Sequence, residues 1–333
     1  MDTTFVVMTD THFTAPGTAV DECYWNRMFP SKSAAIGESL VSTVTALAPD
    51  FVIHCGDLTN SSDLESFDFA KTIMDQLPCP YYWVPGNHDT WSSGVREAIT
   101  PLFEFSAAGK FYYTRELAGI RFIFLDCAYW IKRDGTECED LDFELHKQKV
   151  YAGIGPTRAE LQWLERELAA DRDTPTVIVN HTPLHAKPTY AIGTLPGAHA
   201  PEADLANWDP APEKQFENGN TTITKKYCVH GPTIRQLLAD APNIVAVFAG
   251  HWHINDITCD DNGVVHCQGA SLIEYPFEFR LVKICGDQMS ITTVGLDNPR
   301  FGQESLVPEW RNDWVAGKDD DRSWTGRIDQ LAG

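Results

Sequence analysis

The stretch YYWVPGNHD (residues 81–89) joins an apolar, aromatic run to a glycine and three polar side chains, Asn87, His88 and Asp89. An apolar run that ends abruptly in glycine is typical of a strand that opens into a loop. Asparagine, histidine and aspartate side chains bind metal ions or move protons. The stretch therefore predicts a strand whose carboxyl end delivers a functional site.

Four other short clusters repeat this design, in which an apolar run is followed at once by ligand-type residues. They are Asp10-Thr11-His12, Gly56-Asp57, Asn180-His181 and Gly250-His251-Trp252-His253. Helical patterns, such as residues 33–47 and 157–170, separate the apolar runs. Strand, helix and strand in this order predict parallel strands, whose carboxyl ends meet at one edge of a sheet. We expect the five clusters to form one site.

Composition indicates a globular protein, because 333 residues with 43% hydrophobic content can bury a substantial core. The N-terminus lacks a signal-peptide pattern, and no apolar run approaches the ~20 residues of a membrane span. We therefore expect a soluble, cytoplasmic protein that has no membrane segment. Nine cysteines are scattered singly without CxxC spacing, which predicts reduced thiols rather than a disulfide framework or a zinc ribbon.

The formal net charge of −21 argues against a protein that coats nucleic acid, because phosphate-backbone binding needs a basic surface. A small phosphoester substrate remains compatible with this charge, since bound divalent cations dominate the local potential.

The rest of the chain predicts a second sheet and two additions. Residues 111–114 and 121–125 indicate a hairpin on that sheet, and short alternating segments between residues 257 and 294 complete the sandwich. The stretch from about residue 184 to 230 lacks periodicity over more length than an ordinary loop, which predicts a lid-like insertion. The predicted domains are residues 1–295, with this insertion, and a Trp-containing extension, residues 296–333.

The oxygen and imidazole groups of the five clusters suit manganese, iron or zinc. Seven candidate ligands can be counted: Asp10, His12, Asp57, Asn87, His181, His251 and His253. Seven ligands are too many for one tetrahedral ion but suit two transition-metal ions that share a bridging carboxylate. Asp57 is the natural bridge.

In this order the clusters resemble the calcineurin-like metallophosphoesterases, whose pattern is D-x-H, G-D, G-N-H-[DE], H and G-H-x-H. The resemblance covers roughly residues 4–294. The D-x-H opening and the phrase Gly56-Asp57-Leu58-Thr59 are most similar to the class III cyclic-nucleotide phosphodiesterase and glycerophosphodiesterase branch. The resemblance implies an α/β fold, namely a four-layer α-β-β-α sandwich of two mixed sheets flanked by helices.

The resemblance also implies roles for individual residues. Asp10, His12 and His253 would hold one ion, Asn87, His181 and His251 would hold the other, and Asp57 would join them. A metal-bridging hydroxide would then attack phosphorus. His88, left without a metal, would bind the phosphoryl group or protonate the leaving alkoxide, with Asp89 as the partner that fixes its imidazole.

Other features are expected to serve structure. The glycines at positions 56, 86 and 250 should permit tight turns and close backbone approach. Structural roles are expected for His54, His146, His199, His230 and His266, whereas His185 fits substrate contact and loop packing equally well. Substrate selection should lie in residues 127–151, the insertion after Pro183, and residues 271–277. The aromatic residues Tyr129, Trp130, Tyr275 and Phe277 there could stack a base or simply pack.

These observations predict a metal-dependent phosphoric ester hydrolase that acts on a phosphodiester of the cyclic-nucleotide or glycerophosphodiester type. A phosphomonoesterase or nucleotidase on the same site is the main alternative, because function lies in loops around a shared site. A non-catalytic scaffold is disfavoured by the intact ligand set, and a metal-dependent nuclease by the net charge. The sequence leaves the formation of a homo-oligomer open.

Overall fold

The protein is described from a computed structural model, which covers residues 2–103, 110–184, 228–306 and 312–328. The strands are β1 (Asp2–Met8), β2 (Glu22–Cys23), β3 (Arg27–Met28), β4 (Phe51–His54), β5 (Tyr81–Trp83), β6 (Tyr113–Leu117), β7 (Ile120–Phe124), β8 (Tyr129–Lys132), β9 (Glu137–Cys138), β10 (Tyr151–Gly155), β11 (Thr176–Val179), β12 (Ile244–Ala249), β13 (Asp256–Cys259), β14 (Val265–Gln268), β15 (Glu278–Cys285), β16 (Gln288–Gly295) and β17 (Ser323–Arg327). The helices are α1 (Ser33–Leu47), α2 (Leu64–Met74), α3 (Asn87–Thr90), α4 (Val95–Ile99), α5 (Phe143–Lys147), α6 (Arg158–Ala170), α7 (Gly231–Ala239), α8 (Arg300–Ser305) and α9 (Asp319–Arg322).

Two six-stranded sheets form the framework. The first has the order β17-β16-β15-β1-β4-β5, and the second has the order β13-β14-β12-β11-β7-β6. Strands β1, β4 and β5 run parallel, as do β7, β11, β12 and β14, whereas β15 to β17 pair antiparallel. Both sheets are therefore mixed, as predicted, and the hairpin β6-β7 lies on the second sheet.

Aromatic side chains join the two sheets face to face. The ring of Phe5 on β1 lies 5.6 Å from that of Phe122 on β7 and 6.3 Å from that of Phe248 on β12, both edge to face. Helix α1 buries Ile36 in this core cluster, and α6 buries Leu164 in a second cluster, against the other face of the second sheet. Helix, sheet, sheet and helix follow one another, which confirms the predicted four-layer sandwich.

Local chemistry sets the helix boundaries close to their predicted positions. Helix α1 spans the predicted residues and ends where Ala48 turns left-handed before Pro49. Helix α2 begins after Asp63, whose carboxylate accepts a 2.8 Å hydrogen bond from the Ser66 amide, and ends at Met74. The Oγ of Thr157 caps α6 in the same way.

Part of the predicted C-terminal extension belongs to the first sheet, because β17 pairs with β16 and Trp324 packs against the core. Residues 185–227, which include His185, His199 and nearly all of the predicted insertion, lie outside the described residues, as does Trp310. The proposed domain boundaries stay predictions. In the part of the chain that the structure describes, every helix is too short or too polar to span a bilayer.

Candidate metal centre

The predicted site residues follow the carboxyl ends of five strands. Asp10 and His12 follow β1, Asp57 follows β4, and Asn87 follows β5, all in the first sheet. In the second sheet His181 follows β11, and the pair His251 and His253 follows β12. Parallel strands within each sheet bring these loops to one edge of the sandwich.

Asp10, His12 and His253 form the first cluster. The Nε2 atom of His253 lies 3.3 Å from Asp10 Oδ1 and 3.2 Å from His12 Nε2. His12 Nε2 lies 3.8 Å from the same carboxylate oxygen. All three side chains are buried, so their ligand atoms face one another out of bulk water.

The second cluster is built around His181. Its Nε2 atom lies 3.3 Å from Asn87 Oδ1, 3.1 Å from His251 Nδ1 and 3.2 Å from Asp57 Oδ2. The same Asp57 oxygen is 3.8 Å from His12 Nε2 in the first cluster. The structure thus brings the seven predicted ligands into two adjoining clusters, with Asp57 between them.

Hydrogen bonds at the outer nitrogens orient the imidazoles. The Nδ1 atom of His12 is 3.0 Å from Asn60 Oδ1, that of His253 is 2.6 Å from Glu274 Oε1, and that of His181 is 2.8 Å from the carbonyl oxygen of Cys55. Because these oxygens accept, each Nδ1 carries the proton that it donates. Nε2 of each ring therefore faces into the clusters, where it can carry a proton or bind a cation.

These residues fit metal ions because acceptors converge on acceptors. Asp10 Oδ1 is buried without a hydrogen-bond partner while it faces the Nε2 atoms of His12 and His253. Acceptor atoms that meet in a buried space repel unless a proton or a metal ion lies between them. Nitrogen and oxygen ligands in this mixture suit manganese, iron and zinc alike.

Electrostatics keep the carboxylates ionised. Burial alone would raise the pKa of Asp10 and Asp57, but attraction to His253 and His181 outweighs it and holds both pKa values below their usual range. Burial lowers the pKa of His181 and His253, and the neighbouring carboxylates reverse this and raise each pKa to about 9. Ionised carboxylates are the form that binds metal.

The backbone at the ligands is strained. Five of the seven have positive φ: 51° at Asp10, 45° at His12, 53° at Asp57, 73° at His251 and 57° at His253. A left-handed conformation at a residue other than glycine costs on the order of 1 kcal/mol or more and clusters at functional sites. The fold holds these side chains in place against local preference.

Glycines make room for the ligands, as predicted. A Cβ at position 86 would lie 2.1 Å from Asp57 Oδ1, and one at position 250 would lie 2.4 Å from Asp10 Oδ2. Gly56 has a φ of +94° in the turn before Asp57. Side chains at these positions would displace both carboxylates.

The side chain of His88 lies beside the two clusters without joining the hydrogen bonds between the candidate ligands, whereas its backbone amide donates to Asp57 Oδ1 at 2.8 Å. Its ring is 4.6 Å from that of His12, edge to face. One ring nitrogen of His88, one of His12 and a carboxylate oxygen of Asp57 lie within 4.8 Å of one another. His88 Nδ1 donates a 2.9 Å hydrogen bond to the carbonyl oxygen of Asn60. Burial lowers the pKa of His88 to about 4, so the ring is neutral at neutral pH.

The prediction that Asp89 fixes the imidazole of His88 is wrong. The carboxylate of Asp89 accepts from the amides of Leu58, Thr59 and Gly86 at 2.8 to 3.1 Å. Consecutive side chains of the short helix α3 point in different directions, so Asp89 turns back onto the loop that carries Asp57. Burial, with repulsion from Asp57, raises the pKa of Asp89 to about 6.

Three further residues support the ligands. Asn60 and Glu274 orient His12 and His253, and neither stands in a cluster that the sequence pattern distinguishes from ordinary loop residues. His54 was expected to be structural. Its ring bonds the Oγ of Thr11 at 3.0 Å and accepts from the amide of Gly56, so it holds two ligand loops together.

The aromatic residues suggested for substrate binding are mostly packed. Phe277 and Trp130 are buried. Tyr129 lies under the Arg96 guanidinium, 4.1 Å from its ring centroid. Ordinary packing, the second of the two predicted fates, describes these three side chains.

A family model for calcineurin-like phosphoesterases matches residues 3–255. The chain belongs to this family. It is 27% identical over 134 residues to a probable cyclic nucleotide phosphodiesterase of Fibrobacter succinogenes. It is 30% identical over 135 residues to a probable glycerophosphodiester phosphodiesterase of Arcobacter nitrofigilis. Each alignment covers 40% of this chain and 42% of the relative, less than half of either.

A solved structure supports the fold. A dimetal phosphatase from Danio rerio superposes with a TM-score of 0.62 at 16% sequence identity, over 88% of this chain and 96% of that one. The predicted fold, family and branch resemblance are thereby confirmed.

Proposed function

We propose that the protein is a binuclear metal-dependent phosphodiesterase. The observation that carries this proposal is the pair of buried acceptor clusters that share Asp57. Asp10, His12 and His253 would hold one transition-metal ion, and Asn87, His181 and His251 would hold the other. When bound, two such ions supply a hydroxide nucleophile at neutral pH and neutralise the phosphoryl oxygens.

His88 would serve the ester directly. Its Nδ1 is engaged with the Asn60 carbonyl, so Nε2 is the nitrogen available to a substrate. A neighbouring phosphoester anion favours the protonated imidazole. Nε2–H could then bind a phosphoryl oxygen or give its proton to the leaving alkoxide, and hydrolysis would leave an alcohol and a phosphomonoester.

A diester is favoured over a monoester on two grounds. The relatives named above are called probable phosphodiesterases. In addition, the net charge of −21 repels a dianionic monoester more than a monoanionic diester. The alternative of a phosphomonoesterase has its own support, because the chain is 22% identical over 249 residues to tartrate-resistant acid phosphatase type 5 of Mus musculus.

The test compares bis(p-nitrophenyl) phosphate with p-nitrophenyl phosphate on the manganese-loaded protein. We expect kcat/KM to be at least about tenfold higher for the diester, and metal analysis to find about two ions per chain. A preference for the monoester would establish the phosphomonoesterase instead. Inactivity after loading with manganese, iron and zinc in turn would support the scaffold.

The two proposed roles of His88 predict different losses of activity for different leaving groups. His88→Ala should keep both metals, because His88 is not among the seven ligands. If His88 protonates the leaving oxygen, the loss should be about 10²-fold or more for an alkyl leaving group and small for p-nitrophenolate, which leaves without a proton. Equal losses for both would indicate phosphoryl binding, and unchanged turnover would refute either role.

A further inference from the structure

Aromatic rings form a continuous path from the metal centre to the protein surface. The ring of His88 lies 4.3 Å from that of Trp91, and the ring of Trp91 lies 6.1 Å from that of Phe143, edge to face. Trp91 is half-buried, whereas Phe143 is 53% exposed. Phe143 therefore presents part of an aromatic ring to solvent at the end of this path.

The backbone holds this path rigidly. The amide of Trp91 donates to Ser62 Oγ at 2.9 Å, and its carbonyl accepts from the Leu141 amide at 3.1 Å. Phe143 opens helix α5, which Asp142 caps by accepting from two amides of the first turn. Two segments distant in sequence are thus joined at the aromatic pair, so binding there would cost little ordering.

We propose that Trp91 and Phe143 form the subsite for the leaving alcohol of the phosphodiester, and that this alcohol carries an aromatic ring, as a nucleoside does. This inference rests on the proposed function, in which His88 Nε2 faces the substrate. The ring of Trp91 lies 4.3 Å from the imidazole of His88, within reach of an alcohol whose oxygen is bonded to phosphorus next to His88.

The charges around the pair favour a neutral ring over an additional phosphate. Asp142 and Glu144 flank Phe143 and are exposed, so their carboxylates repel further phosphates. Both carboxylates have partners within this segment, because Asp142 caps α5 and Glu144 pairs with Lys147 at 2.7 Å. The exposed part of the Phe143 ring offers a stacking surface to an aryl group.

The experiment measures Phe143→Ala in the manganese-loaded protein. We expect its KM for bis(p-nitrophenyl) phosphate to rise about tenfold, as the loss of one stacking contact predicts, with kcat within about twofold. Inorganic phosphate, which has no alcohol, should inhibit the variant and the wild type equally. Phe143→Trp should keep a low KM. Leu64→Ala, which also removes an exposed apolar side chain (49% exposed), is the matched control and should change neither constant.

Three outcomes would overturn the subsite. An unchanged KM in Phe143→Ala shows that the aryl group binds elsewhere. If glycerophosphoethanolamine inhibits Phe143→Ala more weakly than it inhibits the wild type, while the KM for the aryl diester is unchanged, a cationic alcohol is the true occupant. A rise in the inhibition constant of phosphate that equals the rise in KM shows damage to the metal centre. If the wild type hydrolyses no diester, the proposed function fails, and the subsite fails with it.

Discussion

Asp57 and Asp126 each follow a strand, β4 and β7, and each is buried, yet their surroundings differ. The carboxylate of Asp126 accepts from both terminal nitrogens of Arg96, at 2.6 and 3.2 Å. The charged neighbours of Asp57 are the imidazoles of His181 and His12, at 3.2 and 3.8 Å. An arginine is a permanent cation, whereas an imidazole is a cation only when protonated and can otherwise offer a lone pair to a metal ion.

This difference separates a structural carboxylate from a candidate metal ligand. A buried carboxylate needs a counter-charge, and a bidentate arginine supplies one within the chain. Where imidazole lone pairs replace the arginine, the counter-charge must come from protons or metal ions. A carboxylate at a strand end is therefore ambiguous until its neighbours are known.

The largest effect should follow Asp57→Asn. The amide weakens both clusters at once, so we expect the metal content to fall from about two ions per chain to below one. Loss of several kcal/mol of transition-state stabilisation should reduce kcat/KM by about 10³-fold or more. Elemental analysis and the diester assay measure the two effects. A variant that keeps both ions would contradict the placement of Asp57 between the clusters.

Arg96→Met should affect stability and leave metal binding intact. The substitution leaves the buried carboxylate of Asp126 without its ion-pair partner, which typically lowers the free energy of unfolding by about 3–5 kcal/mol. Urea unfolding measures this loss, and the metal content should stay at its wild-type value.

The double variant Arg96→Met/Asp126→Leu tests the cause. Removal of both charges should recover most of the lost stability, because hydrophobic side chains of similar volume often replace a buried ion pair without cost. Failure of the second change to recover stability would show that the loss comes from packing, including the contact of Arg96 with Tyr129.

Glu274→Gln should lower the metal affinity of the first cluster selectively. Glu274 Oε1 orients His253, and the removal of such a partner commonly lowers metal affinity about 10–100-fold. The first cluster should therefore lose its ion at a lower chelator concentration than the second, where the Cys55 carbonyl backs His181. Glu278→Gln is the control, because Glu278 pairs with Arg322 instead. Loss of both ions at the same chelator concentration would contradict the prediction that Glu274 supports the first cluster alone.

The sequence predicted the parts of the site that depend on strand ends and residue type. Seven candidate ligands lie together because parallel strands bring their carboxyl ends to one edge, a property of topology. The helix Ser33–Leu47 was predicted fully, since its apolar spacing and Pro49 are local signals.

The supporting residues depend on contacts that no local pattern encodes. Glu274 comes from a loop 21 residues beyond His253, and in sequence it resembles any acidic loop residue. Asp89 follows His88 directly in the sequence, but consecutive residues of a helix point in different directions, so adjacency does not predict contact between the two side chains. The Trp91 and Phe143 pair joins segments some fifty residues apart, so only the fold shows it.

The smallest expected effect concerns Glu160, which lies beside the ion pair of Arg96 and Asp126. Its Oε1 accepts from the Asp126 amide at 2.7 Å, while Oε2 is buried without a partner. Burial, then repulsion from Asp126, raises the pKa of Glu160 well above its usual range, because Arg96 compensates one carboxylate and not two.

A carboxyl whose folded pKa is raised stabilises the protein fully below its unfolded pKa of about 4.3 and loses this contribution as pH rises through the folded pKa. Glu160→Gln removes this loss. The free energy of unfolding of the variant should therefore rise relative to that of the wild type from pH 5 towards pH 8. The gain is about 1.4 kcal/mol for each pKa unit between the two states. Urea unfolding of both proteins across this range isolates Glu160, since other titrating groups cancel in the difference. A difference that does not change with pH would mean that Glu160 is ionised in the fold, and that Arg96 serves both carboxylates.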